Sequence, residues 1–305
     1  MDIYLKHAIL HLLDRESGAP VFSQQPLDLT TEYIREYLTK KIQKLATPQT
    51  KTGILAEGGA FTQLIQRLPQ DFVTASADLT QRWYESYNQS EDAPGCDVFV
   101  VLYELDTTPC VAFLKVNYNE GYTHFVDSDD GILKNQLIIN RAILANKTQK
   151  ADEGFTVDLT NMAYELVEKK YTFSGEKRLY FSTEVIESEP QLSLEDNVKV
   201  IKKVAEKIGK KFETPKHDLL ADVKEAVYES IEESGELAVE EVAAKVFKDN
   251  ITAKMAFKEE VAEKGFVDRA PLLREVKELT EKKYGKQKLK LSNGIELIVP
   301  LDVYR

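Results

Sequence analysis

Two runs near the middle of the chain constrain its fold most. Asp97-Val-Phe-Val-Val-Leu-Tyr-Glu-Leu105 and Val111-Ala-Phe-Leu-Lys-Val-Asn-Tyr118 are short, mostly apolar, and rich in β-branched and aromatic residues. Thr107-Thr108-Pro109 separates them as a turn. Such runs are strands of a central β-hairpin buried on at least one face. A chain with this centre needs further strands beside it and helices over it.

The N-terminal flank supplies both. Ile3, Leu5, Ala8, Leu10 and Leu12 follow a β-like pattern, and Val21-Phe22-Ser23 returns after a turn at Glu16–Ala19, so a first hairpin is predicted. Thr30 or Thr31 is placed to cap a helix, its hydroxyl accepting from free backbone N–H groups. Tyr33, Ile34, Tyr37, Leu38, Ile42 and Leu45 then recur at helical spacing, ended by Pro48. Gly53–Gly59 reads as a loop. Phe61 to Leu68 and Phe72 to Tyr87 carry two more helical stripes. Beyond the central hairpin, Leu137–Leu144, Gly154–Leu159 and Met162–Tyr171 are strand candidates.

After Phe181 the period becomes helical. Ser193 caps a helix with Ile201, Val204, Ala205, Ile208 and Phe212 on one stripe. Pro215 opens the next, with Leu219, Leu220, Val223, Ala226, Val227 and Ile231, stopped by Gly235. Val239–Val246, Met255–Val261 and Leu272–Leu279 give three more. Lys286–Leu291 and Ile295–Val299 flank Ser292-Asn293-Gly294, a hairpin signal because Asn and Gly tolerate positive φ. The expected fold class is α+β: a mixed or antiparallel sheet with packed helices over 1–185, then a mainly helical region ending in a β-hairpin over 186–305.

Composition sets limits. With 43% hydrophobic and 30% charged residues in 305, the chain is globular. No apolar run approaches the ~18–20 residues of a membrane span, so no membrane partner is expected. The early Asp2 and the short mixed segment around it do not resemble a signal peptide. Two cysteines, Cys96 and Cys110, make no disulfide framework, which fits a reduced cytoplasmic setting. The net charge is −11, divided as 18 basic against 25 acidic residues up to Tyr180 and 22 against 26 after it. Neither part is basic, so any contact with nucleic acid must be local.

Chemistry-bearing motifs are sparse. Gly53, Gly58 and Gly59 lack phosphate-loop spacing. His7 and His11 fall on one strand face but ~13 Å apart, too far to share a metal. No Gly-x-Ser-x-Gly elbow is present. No cofactor, metal ligand or catalytic residue is therefore assigned. One nuclease-like pattern remains as an alternative. Asp158 precedes Glu168-Lys169-Lys170, where carboxylates would hold Mg²⁺ and Lys170 would steady phosphate charge. Such short patterns also arise by chance at solvated hairpin ends.

The helix from Ser193 is the most interpretable charged feature. Lys199, Lys202, Lys203, Lys207, Lys210 and Lys211 fall opposite its apolar stripe, with Glu206 among them. They form either a solvated face that also complements the helix dipole, or a phosphate-contacting surface. Lys282 and Lys283 lead into Lys286, Lys288 and Lys290, which share one face of the last hairpin and allow the same two readings.

Several segments together resemble the bacterial nucleoid-associated protein family of the NdpA/YejK type. They are Ile9-Leu-His-Leu-Leu-Asp14, Phe72-Val-Thr-Ala-Ser-Ala-Asp-Leu-Thr-Gln-Arg82, Asp97–Tyr103, Ala112–Tyr118, Glu168–Tyr171 with Tyr180-Phe-Ser182, and Ala256–Phe266. They cover most of the chain in the order expected. The resemblance implies a non-enzymatic, cytoplasmic protein of the nucleoid that associates with DNA directly or through a partner protein. It carries over no active-site residue. It also predicts a longer tail than Val303-Tyr304-Arg305. The sheet region would be scaffold and candidate homodimer surface. The helical region and last hairpin would present the lysines.

Overall fold

A computed structural model describes residues 2–13, 18–129, 132–212, 216–234, 236–266, 269–271, 286–290 and 296–300, the last three stretches by backbone alone. The chain divides into two compact units, 1–45 with 52–191 and 46–51 with 192–305.

The first unit is built on a seven-stranded sheet. Its elements are β1 (Ile3–Leu13), α1 (Glu32–Gln43), β2 (Lys51–Ile54), α2 (Ala60–Arg67), α3 (Phe72–Tyr87), β3 (Cys96–Leu105), β4 (Thr108–Asp129), β5 (Ile132–Leu144), β6 (Glu153–Asp158) and β7 (Ala163–Val167). A small hairpin, β8 (Tyr171–Phe173) with β9 (Glu176–Arg178), and a π-helical turn at Phe181–Ile186 complete it. The sheet is antiparallel, in the order β1-β3-β4-β6-β7-β2, with β5 paired to β4 alone. The predicted central hairpin is β3–β4, in the register Val100↔Phe113.

Both faces of that hairpin are buried, which explains runs that barely alternate. On one face Val98, Val100, Val111 and Phe113 pack with Phe61, Leu79, Trp83 and Phe181 from α2, α3 and the π-turn. On the other, Phe99, Val101, Ala112 and Leu114 pack with Leu38 and Ile42 of α1. Phe113 stacks on Phe155 at 5.4 Å between ring centres, and the Trp83 indole donates to the Tyr180 hydroxyl at 2.9 Å.

Several sequence expectations are corrected. Thr31 occupies the N-cap of α1, but its hydroxyl makes no capping bond, and the Thr30 hydroxyl donates to Asp28 instead. Gly53 lies in strand β2 rather than a loop, and a Cβ there would meet the Tyr164 ring at 2.5 Å, so the close approach of that ring requires glycine. The Met162–Tyr171 segment is divided: β7 ends at Val167 and β8 begins at Tyr171, so Glu168–Lys170 is a connection. The largest difference is β4, which runs 22 residues and continues with β5 as a long ribbon beyond the predicted end at Tyr118. After β1, Leu12 and Val21 form one antiparallel bridge, while residues 14–17 of the predicted turn lie outside the described residues.

The second unit is a ring of four helices: α4 (Leu194–Lys211), α5 (Lys216–Ser234), α6 (Val239–Phe247) and α7 (Ile251–Glu263). Each packs against its two neighbours in that cyclic order. Ile201, Val204, Val223, Val227, Val242 and Phe257 fill the centre. Gly209 lets α4 approach α5 closely, since a Cβ there would lie 2.5 Å from Leu219 Cδ2. A short strand β10 (Glu236–Ala238), unforeseen in the sequence, pairs with β11 (Arg269–Pro271). The predicted terminal hairpin is β12 (Lys286–Lys290) with β13 (Glu296–Pro300), in the register Lys288↔Ile298. The predicted helix at 272–279, its neighbours Lys282 and Lys283, and the 292–294 turn lie outside the described residues.

Candidate nucleic-acid interface

Helix α4 is assembled as its sequence dictates. The Ser193 hydroxyl accepts from the Asp196 N–H at 3.1 Å, satisfying a free donor at the helix start. Glu195 and Asp196 lie in the first turn and Lys210 and Lys211 in the last, so both ends complement the macrodipole. Ile201, Val204, Ala205 and Ile208 are buried and Phe212 half-buried, which fixes the rotation of the helix. The lysines are therefore turned outward: Lys199, Lys203, Lys207, Lys210 and Lys211 are exposed and Lys202 is half-buried.

These six are not equivalent. Lys199 is held by Glu195 at 3.2 Å and Asp196 at 3.3 Å, and its pKa is raised, foremost by the hydrogen bond to Glu195. Lys207 is paired with Glu260 of α7. Lys203, Lys210 and Lys211 make no ion pair with any described residue. Elsewhere in the unit Lys245 pairs with Glu225 and Glu229, Lys248 with Asp222, and Lys258 with Glu240, while Lys254 and Lys264 make no ion pair with a described residue. Three lysines that lack an acid thus stand on the single helix α4 of an acidic chain.

One basic residue escaped the sequence reading. Lys224 of α5 is half-buried, and its pKa is lowered, first by burial and then by the positive charge of Lys202. The ammonium groups of Lys202 and Lys224, on adjacent helices, are thus near enough to repel each other. A second helix's lysine is invisible in a pattern read along one helix.

The other predicted site residues are dispersed. Lys286, Lys288 and Lys290 alternate along β12, which puts them at same-face register positions; their side chains lie outside the described residues. The nuclease-like residues serve local structure. The Asp158 carboxylate accepts from the Thr160 N–H at 2.8 Å and its hydroxyl at 2.6 Å. Glu168 accepts from the Ser182 N–H at 3.0 Å and hydroxyl at 2.9 Å, tying the π-turn to the end of β7. Lys170 is exposed, and Lys169 pairs with Asp152 at 2.7 Å. Among the described residues, no three His, Cys, Asp or Glu side chains converge to hold a metal ion. Cys96 and Cys110 are both buried free thiols, and burial pushes their pKa values up to about 12 and 11. No helix of the described residues is long and apolar enough to cross a membrane.

No curated protein matches the chain. The family model described as nucleoid-associated protein YejK matches residues 9–304, a span that takes in both units, from β1 to beyond β13. The sheet, the helical ring with its outward lysines and the terminal hairpin thus all lie within one family's limits, and the chain belongs to the family of nucleoid-associated protein YejK.

Proposed function

We propose that this protein binds duplex DNA directly, without reading sequence, through Lys202, Lys203, Lys210 and Lys211 of α4, with Lys224 at their margin. The observation that carries this reading is the lack of acidic partners for Lys203, Lys210 and Lys211 among the described residues, three such lysines on one helix. Lysine acts as a point charge on phosphate oxygens, which positions a protein on DNA but carries no base information. Lys199 and Lys207 are a reserve, because exposed ion pairs are worth only about 0–1 kcal/mol and a phosphate can replace the carboxylate. Lys286, Lys288 and Lys290 would add a second row of contacts from β12. Membership of a nucleoid-associated family supports DNA as the partner and requires no chemical step.

The test is a fluorescence-anisotropy titration with a labelled duplex at two salt concentrations. The wild-type protein should lose affinity steeply with salt, by a log–log slope of about 0.9 for each phosphate contact. Lys202→Glu, Lys203→Glu, Lys210→Glu and Lys211→Glu together should flatten the slope by about 3–4 and abolish measurable binding at physiological salt. Unchanged affinity in that variant removes α4 from the interface. The net charge of −11 favours a second reading, recruitment through a DNA-bound partner protein with a basic surface. No binding of the wild-type protein even at low salt, with a partner retained from nuclease-treated extract, would establish that reading instead.

A further inference from the structure

We infer that the β4–β5 ribbon is a self-association arm, and that its apolar face packs on the same face of a second copy of this chain. Beyond Asn117, β4 leaves both of its neighbours in the sheet: β3 pairs with it only as far as Asn117 and β6 only as far as Lys115. From Asn119 to Asp129 its pairing partner is β5 alone. Ten residue steps at the usual strand rise make an arm roughly 34 Å long. A two-stranded ribbon is marginal in water by itself and needs a further layer against one face.

The register shows which face that is. Cross-strand partners share a face, and alternate residues change face. Tyr122 opposes Ile139, His124 opposes Leu137, Val126 opposes Asn135 and Ser128 opposes Leu133. Tyr122, Val126, Leu133, Leu137 and Ile139 therefore stand on one side, and all are exposed, the two leucines at 75%. The opposite side is mixed: Phe125 and Ile138 are exposed there, beside the facing charges Asp127 and Lys134 and the amide of Gln136. Side chains of these sizes at these exposures present roughly 600 Å² of apolar surface, the upper limit for the largest patch on an ordinary monomer.

Three features favour a second copy as the occupant. Among the described residues between Tyr122 and Ile139 the apolar face holds no Asp, Glu, Lys or Arg, so apposing these residues on themselves brings no fixed like charges together in a chain of net charge −11. Two such faces together bury about 1,200 Å², the lower bound of a stable specific interface. A two-fold contact also gives each ribbon the layer it lacks, as a four-stranded sandwich with the usual ~10 Å sheet separation.

The experiment is sedimentation equilibrium of the full-length protein without nucleic acid, so its outcome is independent of the DNA reading. The wild-type protein should have twice the chain mass at micromolar concentration. Leu133→Lys with Leu137→Lys should weaken dimerisation by about 100-fold or more, giving the single chain mass. Gln136→Lys, on the opposite face, should leave the dimer intact. All three substitutions lie at exposed ribbon positions, and the Trp83 emission of the buried core reports that the fold is retained. A monomeric wild-type protein, or a dimer that survives the double lysine variant, overturns the proposal; in the first case the face is left for an unlike partner.

Discussion

The buried lysines of the sheet unit and the outward lysines of α4 are used in opposite ways. In the sheet unit Lys115 is fully buried in β4, opposite Glu153 of β6, to which it donates at 2.8 Å. It also donates to the Tyr171 hydroxyl at 2.6 Å and lies 4.4 Å from the centre of the Tyr87 ring. Lys41 is likewise fully buried and donates to the carbonyls of Asn146 and Gln149. In the helical unit the α4 lysines stand outward, and several have no acid to meet among the described residues. The same side chain is a structural bolt where its charge is completed by protein, and a ligand surface where completion is left to something else. What distinguishes the two is the number of partners waiting for the ammonium, which no count of basic residues conveys.

Removing a charge should therefore cost far more in one unit than in the other. Lys115→Met leaves the Glu153 carboxylate buried without its cation and should destabilise the sheet unit by about 3–5 kcal/mol. Lys203→Met, on the exposed face of α4, should change stability by less than about 0.5 kcal/mol. Trp83 is the chain's single tryptophan and lies in the sheet core, so its fluorescence in a denaturant titration follows that unit. Pairing Lys115→Met with Glu153→Gln should recover part of the loss, because no uncompensated charge remains. If the double variant is as unstable as the sum of the singles, the ion pair is not the coupled unit described.

The second contrast is in pH response. His11 of β1 is fully buried, and burial pushes its pKa down from 6.5 to about 4. The Ser23 N–H donates to its Nδ1 at 3.1 Å, and the Ser76 hydroxyl donates to the Val73 carbonyl, so Nε2 must carry the proton that faces Ser76. A second proton on Nδ1 would confront the Ser23 N–H. The unfolded chain takes up that proton near pH 6.5 and the folded chain only near 4. The stabilisation is thus complete above pH 6.5 and is lost as pH falls through that window, by up to about 3 kcal/mol. The Trp83 transition should shift accordingly. A sheet unit equally stable at pH 7 and pH 4.5 would show that His11 is not held neutral.

Legibility followed burial. The β3–β4 hairpin was plain because both of its faces are covered and the runs are nearly all apolar. Helix α4 was plain because its cap, stripe and lysines agree. The β4–β5 ribbon was not: with neither face covered, Tyr122-Thr-His-Phe-Val126 mixes polar and apolar residues without a clean alternation. Gly121 also looks like a stop, although it sits inside the strand, beneath the Ile143 side chain. The buried Lys115–Glu153 pair was hidden for the converse reason, since a charge in a strand is read as its solvent side. Of the lysine face, the positions were legible and the pairing was not. Glu260 and Lys224 come from other helices, and only the ring of four brings them to α4.

That pairing supplies the smallest test of the contrast. Glu260 of α7 holds Lys207, and Glu260→Gln would release it while keeping the shape of the side chain. Lys207 is exposed although Glu260 is half-buried, so the pair should be worth about 1 kcal/mol and unfolding of the helical unit, followed by far-UV circular dichroism, should move little. DNA binding should respond instead. One more lysine free for phosphate steepens the salt dependence by about 0.9 in log–log slope and raises affinity at low salt. An unaltered slope would place Lys207 outside the DNA surface and confine contact to Lys203, Lys210 and Lys211 with Lys202. A steeper one would mean that α7 sets the strength of the α4 face through a single carboxylate. The acids of this chain would then regulate its lysines rather than merely outnumber them.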